Sequence, residues 1–362
     1  EAAAMISHGA RCNFGDHLHP SGEMDLSTYK NVGIAYEYVK SIEEYGIGGK
    51  PYSNIALYLT GSFYADDGAA RILLEEHIEY QVVSLNTVQE DLNTFDLIII
   101  PSSNVLDQNE INKLKKFLNN KGKLIFIGKG SMSIDEKNFV FDIGAKYIGK
   151  SDYDMDYIQV RKDISKDIVE SPFVTYSPAI KSKPNNDSVV LADIKTPYFS
   201  RTLEKYNGHL YAPYKSNIED YPAVIKNNNI LFFAHDLDRI YAQNGSRVHR
   251  QLFGNAIRVF HQNLFIETKG LPSAGRISLL HQKEKSRFVL HLLYAPPLER
   301  GRCLVIEDMP EIHNVEVSIN LDKKINSAFI VNLDKKLDFK NNEKINIKIE
   351  RFTMHEAIVL DY

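Results

Sequence analysis

Three residues with chemical potential stand close together near the N-terminus: Asp16, His17 and His19, in a run that begins at Gly15 and ends at Pro20. A carboxylate beside two imidazoles is able to hydrogen-bond sugar hydroxyls, to tune a catalytic acid or to bind a metal. No metal is predicted, because the ligand spacing of a metal site is not present. In the alternative interpretation, Asp16 and Pro20 shape a turn and the two histidines pack between domains.

The elements around these residues are predicted to be a strand, a turn and a long helix. Residues 10–14 suit a short strand, Gly15 permits a sharp turn, and Asp25 or Ser27 begins the helix. Its buried face is predicted from apolar residues at helical spacing, namely Val32, Tyr36, Val39 and Ile42. One strand and one helix cannot bury a core, and a (β/α)8 barrel needs about 250 residues. Residues 1–51 are therefore interpreted as the last strand and helix of a barrel that lies upstream.

Residues 52–267 alternate between predicted strands and helices, which indicates a doubly wound parallel sheet. The strands are predicted at 55–59, 80–83, 95–100, 124–127 and 230–234. The helices are predicted at 69–77, 107–120 and 247–260. The strand from Phe95 to Ile100 is apolar throughout, as expected where helices cover both faces of a sheet. A less regular excursion spans residues 131–222.

Residues 268–362 change to a period of two, with short strands separated by turns. The strands are predicted at 276–281, 287–293, 315–319, 328–331, 345–349 and 357–360. This pattern is typical of a small antiparallel β-sandwich or barrel. The predicted fold class of the whole chain is thus α/β plus all-β.

The composition narrows the classes of partner and the compartment. The formal net charge of -4 argues against a nucleic-acid partner, and no apolar run reaches the roughly 18 residues that a membrane-spanning helix needs. The two cysteines, Cys12 and Cys303, cannot form a disulfide framework, which favours a cytoplasmic location. No motif indicates a cofactor, and none is expected.

Three further groups of residues are candidates for a functional site, and the first two are interpreted as turns or loops. Gly128-Lys129-Gly130-Ser131 follows a predicted strand, but Lys129 stands where a nucleophile elbow would need Cys or Ser, so a plain turn is favoured. The alternating Asp152, Asp154 and Asp156 are spaced like a calcium loop, yet Tyr157 replaces the required glycine. A solvated or inter-subunit loop is the preferred interpretation there.

The third group follows the last apolar strand and runs from His235 through Asp236 and Asp238 to Arg239, with Arg250 further on. Such residues are able to contact a ligand or a neighbouring chain. The alternative is an ion-paired turn that supports the start of the last helix.

The run from Gly15 to Gly22, followed by Asp25 and a helix that ends at Glu43-Glu44, resembles the last barrel unit of a glycoside hydrolase group that includes the family 151 α-L-fucosidases. The middle segment resembles the β-galactosidase trimerisation domain, through residues 95–101 and Phe233-Ala234-His235. The last segment resembles the same group's C-terminal β domain, through residues 271–273, 289–295 and 306–308. The group commonly has Gln where this chain has His17.

The resemblance implies the C-terminal part of an exo-acting glycosidase, α-L-fucosidase-like or β-galactosidase-like, that acts on a carbohydrate and forms a homo-oligomer or associates with an upstream barrel. It implies that Asp16, His17 and His19 line the mouth of the active site, while the nucleophile and the acid lie on earlier barrel strands. Asp16 with Glu23 or Asp25 is the sole local carboxylate pair and is not assigned as catalytic. Without its barrel, the apolar face from Val32 to Ile42 is expected to be exposed. The alternative is a stand-alone, non-catalytic oligomerisation or carbohydrate-binding module.

Overall fold

The computed structural model describes residues 1–84, 92–103, 106–341 and 343–362. Its α-helices are α1 (Ala2–Ser7), α2 (Leu26–Ile42), α3 (Phe63–Glu75), α4 (Gln108–Asn119), α5 (Leu237–Asn244) and α6 (Arg247–Phe260). Its strands are β1 (Lys50–Pro51), β2 (Ile55–Tyr58), β3 (Gln81–Val83), β4 (Leu97–Ile100), β5 (Lys123–Ile127), β6 (Ala145–Lys150), β7 (Tyr157–Val160), β8 (Phe173–Val174), β9 (Ile180–Pro184), β10 (Val189–Lys195), β11 (Val224–Asn227), β12 (Ile230–Phe233), β13 (Ile266–Lys269), β14 (Arg276–Gln282), β15 (Arg287–Tyr294), β16 (Leu298–Arg300), β17 (Cys303–Val305), β18 (Ile312–Ile319), β19 (Ser327–Ile330), β20 (Lys335–Lys336), β21 (Phe339–Asn341), β22 (Ile345–Phe352) and β23 (Met354–Asp361).

These elements divide into two compact units. The first unit comprises residues 1–53, 77–79 and 265–362, and the second comprises residues 54–76 and 80–264. The first unit thus unites the first and third of the segments delimited on the sequence. Whether those segments are separate domains, with limits at 51 and 267, stays a prediction.

The second unit is built on a nine-stranded sheet of order β3-β2-β4-β5-β12-β11-β10-β7-β8. The pairs from β3 to β12 are parallel and the remaining pairs are antiparallel. All four residues of β4 are buried, as the sequence predicted for a central strand covered on both faces. Strands β7, β8 and β10 of the antiparallel half lie in the excursion, where the sequence offered no regular pattern, and β11 follows directly after it.

Local chemistry explains most of the helix limits in the second unit. Asp107 and Glu110 form a capping box that begins α4, and α6 has the predicted bounds. α3 begins at Phe63, six residues before its predicted start, because the Asp66 carboxylate accepts hydrogen bonds from the backbone N–H groups of Thr60 and Gly61. That carboxylate fixes the turn from β2 into the helix.

Helix α5 was not predicted, since its polar sequence was interpreted as an ion-paired turn. It packs against α3 at Gly68, where a Cβ atom would overlap the backbone oxygen of Asp238. Glycine is therefore required for the two helix backbones to approach this closely. The contact places Asp238 beside the ends of the parallel strands.

The first unit contains two larger antiparallel sheets, ordered β1-β14-β15-β23-β19-β20 and β13-β18-β22-β21, and the two-stranded sheet β16-β17. Their inward side chains form one apolar cluster that includes Phe288 and Leu290 from one sheet and Val317 and Ile347 from the other. The strands predicted by the period of two are all present, with β18, β22 and β23 extending three residues beyond the predicted limits on one side.

The helices of the first unit share a smaller cluster, formed by Ala3 and Ile6 of α1 with Val39 and Ile42 of α2. The helix predicted to begin near Asp25 is confirmed as α2. The prediction that Tyr36 belongs to its buried face is wrong, because only Val39 and Ile42 are buried and Tyr36 is exposed.

The strand predicted at residues 10–14 is not formed, because these residues have no ladder of backbone hydrogen bonds. A β-strand needs a partner for its N–H and C=O groups, and the described residues provide none at this place. No sheet closes into a barrel in the described ranges. The fold is mixed α/β, with several separate sheets.

Candidate functional site

The loop that joins α1 to α2, residues 8–25, carries the residues selected on the sequence. Asp16, His17 and His19 are all exposed, as are their neighbours from Asn13 to Met24. Asp16 and His17 are adjacent in the chain and the loop keeps them at the surface of the first unit. The structure therefore brings a carboxylate and two imidazoles to one accessible loop.

His19 has a defined orientation within this loop. Its Nδ1 accepts a hydrogen bond from the backbone N–H of Ser21 at 3.2 Å and contacts the Ser21 hydroxyl at 2.8 Å. The backbone N–H of Gly22 donates to the His19 carbonyl, and Gly22 has a φ of 80°, which favours glycine. Because Nδ1 accepts, a neutral His19 carries its proton on Nε2, where it is able to donate to a ligand.

The carboxylate of Asp25 is occupied by helix capping. It accepts hydrogen bonds from the Ser27 backbone N–H at 3.0 Å and from the Thr28 hydroxyl at 2.9 Å. These bonds lower the pKa of Asp25, with the Thr28 bond as the largest cause. A capped, ionised carboxylate is a poor general acid, so the local pair of Asp16 with Asp25 has no support as a catalytic pair.

Helix α2 is tied to the first unit by a buried chain of hydrogen bonds. The Tyr38 hydroxyl contacts His355 Nδ1 at 2.7 Å, and His355 Nε2 contacts His291 Nδ1 at 3.0 Å. His291 Nε2 contacts the Tyr45 carbonyl oxygen at 3.4 Å. A carbonyl oxygen only accepts hydrogen bonds, so His291 Nε2 carries the proton of that ring. His291 Nδ1 then accepts from His355 Nε2, and His355 Nδ1 accepts from the Tyr38 hydroxyl. Tyr38 therefore donates to His355, and His355 donates to His291.

Burial keeps both imidazoles of this chain neutral. It lowers the pKa of His291 to about 3 and that of His355 to about 4. Burial likewise raises the pKa of the Tyr38 hydroxyl to about 12. These groups hold α2 in place and are not proton donors at neutral pH.

Beside α2 lies an apolar cleft of about 760 Å³, formed by residues of α1, α2, β15 and β17 together with the loop. Exposed apolar side chains line it, namely Phe14, Ile34, Leu304, Ile306 and Met309. Ile34 is 68% exposed and Leu304 is 72% exposed. Water-exposed apolar surface that is contiguous marks a site of association. Ile34 and Tyr36 of α2 are thus exposed, whereas Val39 and Ile42, which belong to the face expected to be exposed, are buried within the unit.

The second unit has its own cluster of polar groups where the parallel strands end. The fully buried Asp238 accepts hydrogen bonds from the Ser102 backbone N–H at 2.7 Å, the Ser102 hydroxyl and the Arg239 backbone N–H. Arg239 donates in turn to the Ser102 carbonyl and the Ser62 hydroxyl. Burial raises the pKa of Asp238 to about 7. Its oxygens are occupied by groups of the same chain.

Lys129, at the position considered for a nucleophile elbow, takes part in ordinary structural contacts. Its backbone N–H donates to Asp236 at 3.1 Å, and its Nζ lies 3.1 Å from Glu136. Gly128 has a φ of 45°, and a Cβ atom there would overlap the Asp236 carboxylate. The plain turn favoured on the sequence agrees with this geometry.

The three aspartates considered as a calcium loop have separate partners. Asp152 pairs with Lys181 at 3.0 Å, the backbone of Asp154 contacts Ser200, and the buried Asp156 accepts from the Ala179 N–H. Across the described ranges, no three His, Cys, Asp or Glu side chains are placed to hold a metal ion.

The residues around His235 likewise have separate partners and do not form one site. The buried His235 Nε2 lies 3.4 Å from Asp156, whereas Arg250 pairs with Glu75 at 2.7 Å and with Glu76 at 3.1 Å. Sequence reasoning gave no role to His291 or His355 and did not single out Tyr38. Tyr38 lies more than three turns into α2, directly before the buried Val39.

Comparison with known proteins was made for the whole chain. No protein-family profile matches it, and no curated protein matches it. Among solved structures, an α-L-fucosidase, isoenzyme 2 from Paenibacillus thiaminolyticus, superposes with a TM-score of 0.93 at 25% sequence identity. The match covers 99% of this chain and 56% of the fucosidase. The chain therefore resembles an α-L-fucosidase over its whole length and spans about half of that structure.

Two β-galactosidases superpose less closely. The enzyme from Bacillus circulans sp. alkalophilus gives a TM-score of 0.59 at 10% identity, covering 95% of this chain and 46% of that one. The enzyme from Rahnella sp. R3 gives a TM-score of 0.59 at 11% identity, covering 98% and 50%. At these identities the likeness concerns the fold alone. The chain has a fold found in glycoside hydrolases, and no helix of its described residues has the length and apolar character to cross a membrane.

Proposed function

We propose that this chain is the C-terminal part of an exo-acting glycoside hydrolase, α-L-fucosidase-like in preference to β-galactosidase-like. The observation that carries the proposal is the superposition on the Paenibacillus fucosidase, which covers 99% of this chain but 56% of that enzyme. In this proposal residues 1–51 are the last strand and helix of a catalytic barrel. Residues 52–267 form a β-galactosidase trimerisation-like domain, and residues 268–362 form a β domain.

The N-terminal loop supports a role at the rim of an active site. Asp16 and His17 are exposed and His19 directs its Nε2 outward from the Ser21 contact, so the three side chains are free to hydrogen-bond sugar hydroxyls. Retaining hydrolysis needs two carboxyl groups about 5–5.5 Å apart, and Asp25 is committed to capping α2. The proposal accordingly places the nucleophile and the acid on barrel strands outside this sequence.

The apolar cleft beside α2 supports association with such a barrel. Ile34, Leu304 and Met309 are exposed although they are apolar and contiguous with the loop. A barrel strand that paired with residues 10–14 would also satisfy backbone groups that have no ladder here. Oligomerisation is assigned to the second unit, where Leu203 and Tyr206 of the segment after β10 are exposed. We propose a carbohydrate substrate and a cytoplasmic location.

The test is turnover of aryl glycosides by this chain, with an aryl α-L-fucoside and an aryl β-D-galactoside as the first two substrates. We expect no release of the aryl group by the chain alone. We expect release, with preference for the fucoside, when a barrel polypeptide carrying the missing strands is supplied. Turnover by the chain alone would place the catalytic carboxyl groups within these residues and contradict the proposal.

A non-catalytic module is the second candidate, since the first unit has a complete apolar core of its own. It predicts a stable oligomer that binds a saccharide and gains no turnover when the barrel is supplied. The two candidates therefore differ in the reconstitution experiment.

A further inference from the structure

The second unit has a cleft of about 330 Å³ that lies away from the cluster around Asp238. Three loops form it: residues 151–156 before β7, residues 175–177 after β8, and residues 196–212 after β10. The side chains that matter most are Asp154, Tyr176, Phe199, Ser200, Arg201 and Tyr211. The cleft therefore combines aromatic walls with a rim of polar and charged groups.

The aromatic walls present ring surface to solvent. The rings of Tyr176 and Tyr211 lie 5.5 Å apart at an interplanar angle of 64°, and their side chains are 36% and 38% exposed. An aromatic ring whose face is exposed in a cleft is able to pack against the C–H groups on one side of a saturated ring. Dispersion and the electrostatics of the aromatic face stabilise this contact. The two tilted tyrosines thus offer surfaces for one small ring.

Tyr176 is held in an unfavourable backbone conformation. Its φ of 58° is in the left-handed region, which is rare for an aromatic residue. Adjacent contacts hold it there: Thr175 exchanges backbone and side-chain hydrogen bonds with Asp156, and the Tyr176 ring packs at 5.8 Å from that of the buried His249. Strain maintained by surrounding structure is typical of ligand sites. The ring of Tyr176 lies between those of Tyr211 and His249, which it contacts at 5.5 Å and 5.8 Å.

The rim combines groups that only accept with groups that only donate hydrogen bonds. The carboxylate of Asp154 accepts, the guanidinium of Arg201 donates, and Ser200 does both. The Ser200 hydroxyl already accepts from the Asp154 N–H at 3.1 Å, which joins two of the loops. An anion would meet Asp154 and a cation would meet Arg201, whereas a neutral ring with several hydroxyl groups matches both.

We propose that this cleft binds a neutral sugar ring, with Tyr176 and Tyr211 against its apolar face and Asp154, Ser200 and Arg201 at its hydroxyl groups. The site shares no residue with the loop that carries Asp16. The proposal does not rest on hydrolytic activity, so it holds equally for a hydrolase fragment and for a non-catalytic module. It gives the second unit a binding role besides any contact between subunits.

The test is saturation-transfer difference NMR on the whole chain, with L-fucose, D-galactose and D-glucose as ligands and glycerol as a ringless polyol. We expect saturable transfer to the ring C–H protons of at least one sugar, with millimolar affinity and no saturable transfer to glycerol. Tyr211→Ala is expected to raise the dissociation constant about tenfold, because it removes one aromatic surface. Tyr211→Phe keeps that surface and is expected to stay within about twofold.

The matched control is Tyr198→Ala on the same segment, since Tyr198 is exposed and does not line the cleft. It is expected to leave the dissociation constant unchanged. If Tyr211→Ala does not fold, Arg201→Ala provides the same test from the rim. No saturable transfer to any of the sugars, or equal binding by folded wild type, Tyr211→Ala and Arg201→Ala, would overturn the proposal. Self-association that Tyr211→Ala abolishes, without sugar binding, would overturn it in favour of a contact between copies. Turnover in the reconstitution experiment is measured separately, so failure here leaves the proposed function intact.

Discussion

The loop of the first unit and the strand-end cluster of the second unit both carry carboxylates, but they treat them in opposite ways. Asp238 is fully buried, and its oxygens accept hydrogen bonds from Ser102 and Arg239. Asp16 lies on an exposed loop. A carboxylate that its own chain has satisfied contributes to stability, whereas an exposed one is available to something else. Changes at Asp238 should therefore alter folding, and changes at Asp16 should alter only binding or turnover.

The largest expected effect is at the satisfied carboxylate. Asp238→Ala leaves the buried Ser102 N–H and hydroxyl without their acceptor, which should lower the free energy of unfolding by about 3 kcal/mol. Urea denaturation at pH 5 measures this loss. The matched control is Asp67→Ala, which removes an exposed i,i+4 pair with Arg71 and should change stability by less than about 0.5 kcal/mol. Equal effects of the two substitutions would contradict the contrast.

The pH dependence at Asp238 has a definite sign. Burial raises its pKa from 3.8 in the unfolded chain to about 7 in the folded one. The folded state thus binds this proton more tightly than the unfolded state does. The contribution of Asp238 protonation to the free energy of unfolding is therefore complete below pH 3.8 and decreases as pH rises to 7. The difference in stability between wild type and Asp238→Ala should accordingly become smaller from pH 5 to pH 7.

An intermediate effect is expected where α2 is attached to the first unit. Tyr38→Phe removes the donor to His355 Nδ1 and leaves a buried acceptor unpaired, which should cost about 1.5 kcal/mol of unfolding free energy. Tyr36→Phe, on the same helix but exposed, should have no measurable effect. If both substitutions are neutral by urea denaturation, the hydrogen-bond chain does not hold the helix.

The same chain makes the first unit sensitive to acid. The pKa values of His291 and His355 fall from 6.5 to about 3 and about 4 on folding. The unfolded state therefore binds more protons in this range. The contribution of the two neutral histidines to the free energy of unfolding is complete above pH 6.5 and should be lost as pH falls from 6.5 toward 4. Loss of the near-ultraviolet circular dichroism signal of the tyrosines should follow that window.

The sequence predicted the elements whose patterns are local. Leu97 to Ile100 is apolar at every position and forms the predicted strand. The helix predicted from Asp107 forms as α4, and a capping box of Asp107 with Glu110 begins it. Strand β22 was equally clear, because its side chains alternate between core and solvent and leave a period of two.

Features that depend on distant partners were not predictable. The strand predicted at residues 10–14 suited its composition, but no strand among the described residues provides hydrogen bonds to it. Asp238 meets Ser102 across 136 positions, and His291 meets His355 across 64. The cleft with Tyr176 combines three loops of the irregular excursion. Contacts between residues far apart in the sequence leave no local pattern. The candidate loop was therefore found from the sequence, while the hydrogen bonds between His291 and His355 and the cleft with Tyr176 were not.

A smaller effect on stability, with a larger one on association, is expected at the apolar cleft. Ile34→Glu places a charge on the exposed face of α2 and should change the free energy of unfolding by less than about 0.5 kcal/mol. Binding of a hydrophobic dye should fall, and the supplied barrel polypeptide should no longer associate. Val39→Glu on the buried face should instead prevent folding, because it buries an unpaired charge. Association unchanged in folded Ile34→Glu would show that the barrel does not use this face.

The smallest effect on stability is expected at the loop itself. Asp16→Asn keeps the size of the side chain and removes its charge on an exposed loop, so the melting temperature should not change. In the reconstituted hydrolase the same substitution should lower kcat/KM about a hundredfold, because a charged group that orients the sugar is lost. His17→Gln introduces the residue that the glycoside hydrolase group commonly has at this position, and it should lower kcat/KM by less than about tenfold. Full activity in Asp16→Asn would remove the loop from the active-site rim, and a lower melting temperature would make Asp16 a structural residue like Asp238.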